Sequence, residues 1–150
     1  MGLPYETATS GERAVQDMQK LLRGFGCGSF GQMMDYEKGE LLVQFTYRGQ
    51  QCQVKASING YAAAWLKHHP YNSSRMRKSR VQHEQEARSI AGIAVYSILR
   101  DWIKGQITAI ETGILTFEGA FLGQILLPSG RTVLEHMEAS KMLPAPKEQS

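Results

Sequence analysis

Five cations lie close together in the run LKHHPYNSSRMRKSRVQH, Leu66 to His83: Lys67, Arg75, Arg77, Lys78 and Arg80. Guanidinium and ammonium groups at this density suit phosphate oxygens, which they hold by charge-assisted hydrogen bonds without reading sequence. Tyr71 sits among them, and an aromatic ring beside cations suits stacking on a base or packing on a sugar. Of the chain's 17 Lys and Arg, five fall between Lys67 and His83, and of its 14 Asp and Glu none does. The rest of the chain therefore carries 12 cations against 14 acids, so the net charge of +3 is a local property. A local basic stripe attracts polyanions or an acidic protein surface, and salt weakens that attraction. The competing reading is a solvated loop whose cations pair with acids elsewhere.

Other chemistries are less well served. His68, His69, His83 and Glu84 are potential metal ligands. Neighbouring histidines diverge on a helix, however, and metal-binding helices place ligands at i and i+4, a spacing absent here. No metal or other cofactor is expected. Glu12, Asp35 and Gln53-Val54-Lys55 follow the order of restriction-like nucleases, in which a carboxylate and an (E/Q)xK pair hold a divalent ion and activate water. In the hairpin register predicted below, Lys55 faces Gln44 rather than an acid, and Asp35 lies a strand earlier. Polar residues on the wet side of a hairpin are the favoured reading, and a metal-dependent nuclease is the second alternative. No GxSxG elbow, P-loop or GxGxxG occurs. GFGCGSFG follows a helix and reads as its cap and a strand entry, not as a phosphate cradle. Cys27 and Cys52 form no CxxC pair and read as free thiols in a reducing compartment.

The elements that would position these residues can be read from periodicity. With 150 residues, 42% hydrophobic and 21% charged, the chain is bounded as one soluble domain over 1–143, with a disordered Pro-containing tail at 144–150. A first helix is predicted at about 10–24, with Thr9 and Glu12 as a capping box and Val15, Met18, Leu21, Leu22 and Phe25 on one face. SFGQMMDYE reads as a strand. ELLVQFTYRGQQCQVKAS reads as a β-hairpin at about 40–57, turning on Gly49-Gln50. That turn pairs Tyr47 with Cys52, Phe45 with Val54 and Val43 with Ala56 on a buried face. Thr46, Gln53, Gln44 and Lys55 take the wet face. NGYAAAWLKHH reads as a short helix capped by Asn59 and stopped by Pro70. A long central helix is predicted at about 81–112. Its interior Gly92 and Gly105 cost about 1 kcal/mol each relative to alanine and mark close packing. Its wide apolar surface makes it the hub of the core or a homo-oligomer contact. Thr116 caps a short helix, a Pro-Ser-Gly turn follows, and a Thr132–Glu135 capping box opens the last helix. The fold class is α+β, a small antiparallel sheet of three or more strands packed against the long helix and the N-terminal helix.

The block WIKGQITAIETGILTFEGAFLGQILLPSGRTVLEHM resembles a family of short uncharacterised proteins encoded in bacteriophages and prophages. The pattern is carried by Lys104, Glu111, Gly113, Ile114, Thr116 to Glu118, Phe121, Leu122, Leu127, Pro128 and Gly130 to Val133. Gly105 replaces the usual Ala and Ser129 the usual Asp. The N-terminal half resembles the family more loosely, through LLRGFGCGSFGQM and the hairpin after it. The resemblance implies a phage or prophage setting and hands over no activity.

No basic region followed by an apolar run opens the chain, and IAGIAVYSIL is too short to span a bilayer. A cytoplasmic protein without a membrane partner is expected, in the host cytoplasm if phage-encoded. The leading expectation is a non-enzymatic accessory protein that binds DNA or RNA through the basic loop at 67–83, using Lys67, Tyr71, Arg75, Arg77, Lys78 and Arg80. The alternative is an inhibitor or adaptor that binds a host protein, such as a defence factor.

Overall fold

A computed structural model describes residues 2–147. The order is α1 (Gly11–Phe25), β1 (Ser29–Asp35), β2 (Glu40–Tyr47), β3 (Gln50–Ser57), α2 (Ile58–His68), α3 (Arg80–Glu111), α4 (Phe117–Phe121) and α5 (Val133–Ala139), with one 3-10 turn at Leu122–Gln124. The sheet is antiparallel in the order β1-β2-β3. This is the α+β arrangement predicted, with the N-terminal and long central helices at the expected places. No helix among the described residues is long and apolar enough to cross a membrane. Residues 148–150 of the predicted tail lie outside the described residues, and 144–147 form no helix or strand.

Local predictions are corrected at two helix caps and at the hairpin turn. Ser10, not Thr9, caps α1: its backbone is extended and its hydroxyl accepts from the Arg13 amide at 3.1 Å. That shift leaves Glu12 at the second helical position, out of reach of a capping box. Ser57, not Asn59, caps α2, because β3 runs directly into the helix and Ser57 Oγ accepts from the Gly60 amide. Asn59 instead donates its side-chain amide to the Lys38 carbonyl. The hairpin turns on Arg48-Gly49, both at positive φ (49° and 80°), the conformation a two-residue type I′ turn requires. Arg48 tolerates it with its guanidinium 5.2 Å from the Tyr47 ring centroid.

The register is thereby displaced by two residues from the prediction. Phe45 opposes Cys52, Val43 opposes Val54 and Leu41 opposes Ala56. A displacement of two preserves the faces, since side chains alternate with period two. The residues predicted to be buried therefore stay on one side. On the other, Gln44 opposes Gln53, and their amides bond at 2.9 Å. Lys55 opposes Leu42, not Gln44.

The buried face meets the helices. Leu41, Val43, Phe45 and Cys52 pack with Met18 and Leu22 of α1, Ala62 and Trp65 of α2, and Ala87, Ala91, Val95, Leu99, Ile103 and Ile107 of α3. Alanines at 87, 91 and 94 let α3 lie close to its neighbours, and among its large apolar side chains Val81 alone is exposed. Gly92 and Gly105 are not close-packing positions: a Cβ at either would meet nothing within 4 Å. Phe117 and Phe121 of α4 complete the core from the C-terminal side. Burial pushes the Cys52 thiol up to about 12 and Cys27 up to about 11.

The C-terminal segment is tied to β3. Leu126 donates its amide to the Gln51 carbonyl at 2.8 Å. The predicted Thr132–Glu135 capping box forms at the start of α5. Glu135 also accepts from Lys55 Nζ at 2.9 Å. The Thr132 amide and Lys55 together hold the Glu135 carboxyl down to about 2. A carboxyl depressed on folding stabilises the fold above its unfolded pKa and loses that contribution as pH falls toward the folded value. Glu135→Gln should therefore be less stable than the native chain near neutrality. The gap should shrink as pH falls from the ordinary 4.5 toward 2. Urea midpoints of both proteins at about pH 6 and about pH 3 check this.

Candidate nucleic-acid interface

The basic stretch spans the last turn of α2, a connection at 69–79 and the first turn of α3. Pro70 stops α2, as its missing amide and its restriction of His69 require. The connection is held by its own short bonds. The Asn72 side-chain oxygen accepts from the Ser74 amide at 3.0 Å and the Ser74 hydroxyl at 2.7 Å. The Asn72 carbonyl accepts from the Arg75 and Met76 amides. Tyr71 donates its hydroxyl to the Lys78 carbonyl at 2.9 Å, drawing the two ends together. Ser79 then caps α3 in a reciprocal capping box with Gln82.

Beneath the loop, His69 and His83 join Trp65, Tyr71 and Glu6 in one cluster, a grouping that the spacing of these residues does not reveal. His83 is 1% exposed. Its Nε2–H donates to the His69 carbonyl at 2.5 Å, which leaves Nδ1 buried without a partner among the described residues. The His83 ring is tilted against Trp65 and Tyr71, with centroids at 5.2 and 5.8 Å. His69 stacks on Trp65 at 4.4 Å and contacts Glu6 through Nε2 at 2.8 Å. Trp65 Nε1–H donates to the same Glu6 oxygen at 3.0 Å. Burial pushes the Glu6 carboxyl up, but the bonds from His69 and Trp65 outweigh it and hold the group below its ordinary range. The signal for His83 was its spacing of four from Ala87 and eight from Ala91, which puts it on the buried stripe of α3. Glu6 had no such signal, because it reaches the cluster only through the tertiary fold.

The six predicted contact residues separate into three groups. Lys67, Arg75 and Arg77 are exposed and form no ion pair among the described residues. Lys78 pairs with Glu86, which lies three residues past the acid-free window and is carried beside the loop by α3. Tyr71 is engaged within the protein: its hydroxyl is committed to the loop, and the Arg80 guanidinium sits 5.1 Å from its ring centroid. It acts as a pillar that holds Arg80 in place. Arg75 and Arg80, with Tyr71 and Met76, line an open depression of about 610 Å³ at the N-terminus of α3.

Comparison with protein-family profiles, characterised proteins and solved structures gives no match.

The nuclease set is not assembled. Glu12 and Asp35 line a cleft of about 1060 Å³ between α1, β1 and α3. Gln53 and Lys55 line a separate depression with Glu135, which already holds the Lys55 ammonium. No group of three or more His, Cys, Asp or Glu residues suited to a metal ion occurs among the described residues. His68 contacts the Ala64 carbonyl, and His69 and His83 are engaged as described above.

Proposed function

We infer that the protein binds DNA or RNA through the loop at 67–83, as a small non-enzymatic accessory protein, and that it does so in a phage or prophage setting. The supporting observation is the state of Arg75 and Arg77. Both are exposed, both lack a carboxylate partner among the described residues, and both stand on a loop already fixed by Tyr71, Asn72 and Ser79. An ordered loop forfeits little entropy on binding, so its cations meet phosphates at low cost. The N-terminus of α3, which carries no acid in its first turn, adds a favourable dipole at the same place. Phosphate contacts of this kind hold a nucleic acid without reading its bases.

Fluorescence-anisotropy titration of labelled single- and double-stranded DNA and RNA tests the reading. Binding should weaken with salt along a log–log slope of about −3 to −4 for four phosphate contacts. Failure to bind any of the four at low salt would contradict it and direct attention to a protein partner for the same cations.

A further inference from the structure

The sheet has two edges and treats them differently. The β3 edge is covered: Leu126 bonds to Gln51, Cys52 bridges Ile125, and Lys55 is tied to Glu135. No segment among the described residues pairs with the β1 edge, although the Gln32 side chain accepts from the Tyr96 hydroxyl of α3 at 2.9 Å. Ser29–Asp35 pairs with β2 at seven consecutive positions, without a bulge, and has no strand on its other side among the described residues. It contains no Lys, Arg or Pro. Those are among the devices by which soluble proteins blunt a free edge; β1 carries a charge only at its end, Asp35, and its backbone groups are open to another strand.

We propose that this edge pairs with the same edge of a second copy, antiparallel, about a two-fold axis through Gln32. Parity constrains the register. Along an edge strand only alternate residues turn their N–H and C=O outward, so an antiparallel partner must oppose residues of like parity. For two identical strands this places the axis on a residue, not between two. Gln32 is the midpoint of Ser29–Asp35, and an axis there engages all seven residues, whereas moving it by one loses two of them.

The edge is complementary to itself in that register. Ser29 meets Asp35, a hydroxyl against a carboxylate. Phe30 meets Met34, and Gln32 meets Gln32, whose side-chain amide NH2 remains to donate while its oxygen accepts from Tyr96. Gly31 meets Met33: a Cβ at Gly31 would meet nothing within 4 Å, and Met33 is 55% exposed. No like charges face each other. Phe30, Gln32 and Met34 oppose Phe45, Val43 and Leu41, so they lie on the helix-covered side. There β1 borders the 1060 Å³ cleft, whose wall includes Met34, Val15, Ile58 and Ile93. The second copy's Phe30, set against Met34, would bring an apolar ring to the rim of that apolar wall.

Gln32→Lys and Gln32→Glu test the register, because each sets like charges directly opposite at the axis. In sedimentation velocity on the full chain, the native protein should be a dimer. Each variant should be shifted to monomer, with a dissociation constant raised more than about tenfold and far-UV circular dichroism unchanged. An equimolar mixture of the two variants should recover the dimer, since an ammonium then faces a carboxylate. A monomeric native protein, a dimer indifferent to both variants, or no recovery in the mixture would overturn the proposal. None of these outcomes depends on nucleic-acid binding.

Discussion

Replacing Arg75, Arg77, Lys78 and Arg80 together with alanine should lower oligonucleotide affinity by about a thousandfold at 0.15 M salt, and by more than about ten-thousandfold at 0.05 M. Each phosphate contact releases condensed counterions, and four of them make the electrostatic part of the binding constant scale as roughly the inverse 3.6 power of salt. The four residues should not contribute equally. Arg75 and Arg77 form no ion pair among the described residues, whereas Lys78 must exchange Glu86 for a phosphate and Arg80 must bind while resting on Tyr71. The Arg75→Ala/Arg77→Ala double variant should therefore account for more than half of the loss in log K. All four side chains lie on the loop or at its junction with α3, and the described core contains none of them. Unfolding midpoints should consequently stay close to native, and anisotropy titrations with urea melts alongside separate lost contacts from lost fold.

Phe121→Ala should destabilise the protein by about 3–5 kcal/mol. The side chain is fully buried. Its ring meets Phe45 and Trp102 edge-on, at centroid distances of 5.3 and 5.6 Å, and Phe117 at 5.4 Å. Truncation removes these contacts and opens a cavity among β2, α3 and α4, where the backbone of a long helix has little freedom to collapse. The α4 helix has five residues, too few to stand by itself, so packing of Phe117 and Phe121 is what holds it. With it goes the support for the segment that covers the β3 edge. Urea unfolding by far-UV circular dichroism measures the loss. A change below about 1 kcal/mol would mean that the C-terminal segment is not part of the core.

The architecture was legible where one signal dominated. The α1 stripe of Met18 and Leu22, the long period from Val81 onward, and the Thr132–Glu135 box each report a local rule that tertiary packing reinforces. Misreadings arose where two local solutions compete. Ser10 and Thr9 are both good caps, and so are Ser57 and Asn59. Only the direction in which the chain arrives decides between them. At the hairpin, Gly49 suits either a turn starting on itself or one starting on Arg48, and placing Arg48 in the left-handed region is a choice that composition does not reveal. The period-two rule protected the buried face from that error.

For the candidate site, the cations were plain in the sequence and their engagements were not. Glu86 lies outside the acid-free window and reaches Lys78 only because α3 doubles back beside the loop. Tyr71 has the character of a stacking residue, yet its contacts with His83 and Arg80 turn it into a support. Both facts depend on contacts between α2, the loop and α3, which no spacing within the stretch encodes.

The central claim is that the loop at 67–83 is the surface that meets nucleic acid. The most direct measurement is a ¹⁵N–¹H correlation spectrum of the native chain, titrated with a short oligonucleotide at low salt. Shift changes concentrated at Lys67, Arg75, Arg77, Lys78 and the first turn of α3, and fading as salt is raised, are the predicted result. An unmoved loop, with changes elsewhere or none at all, would contradict the claim.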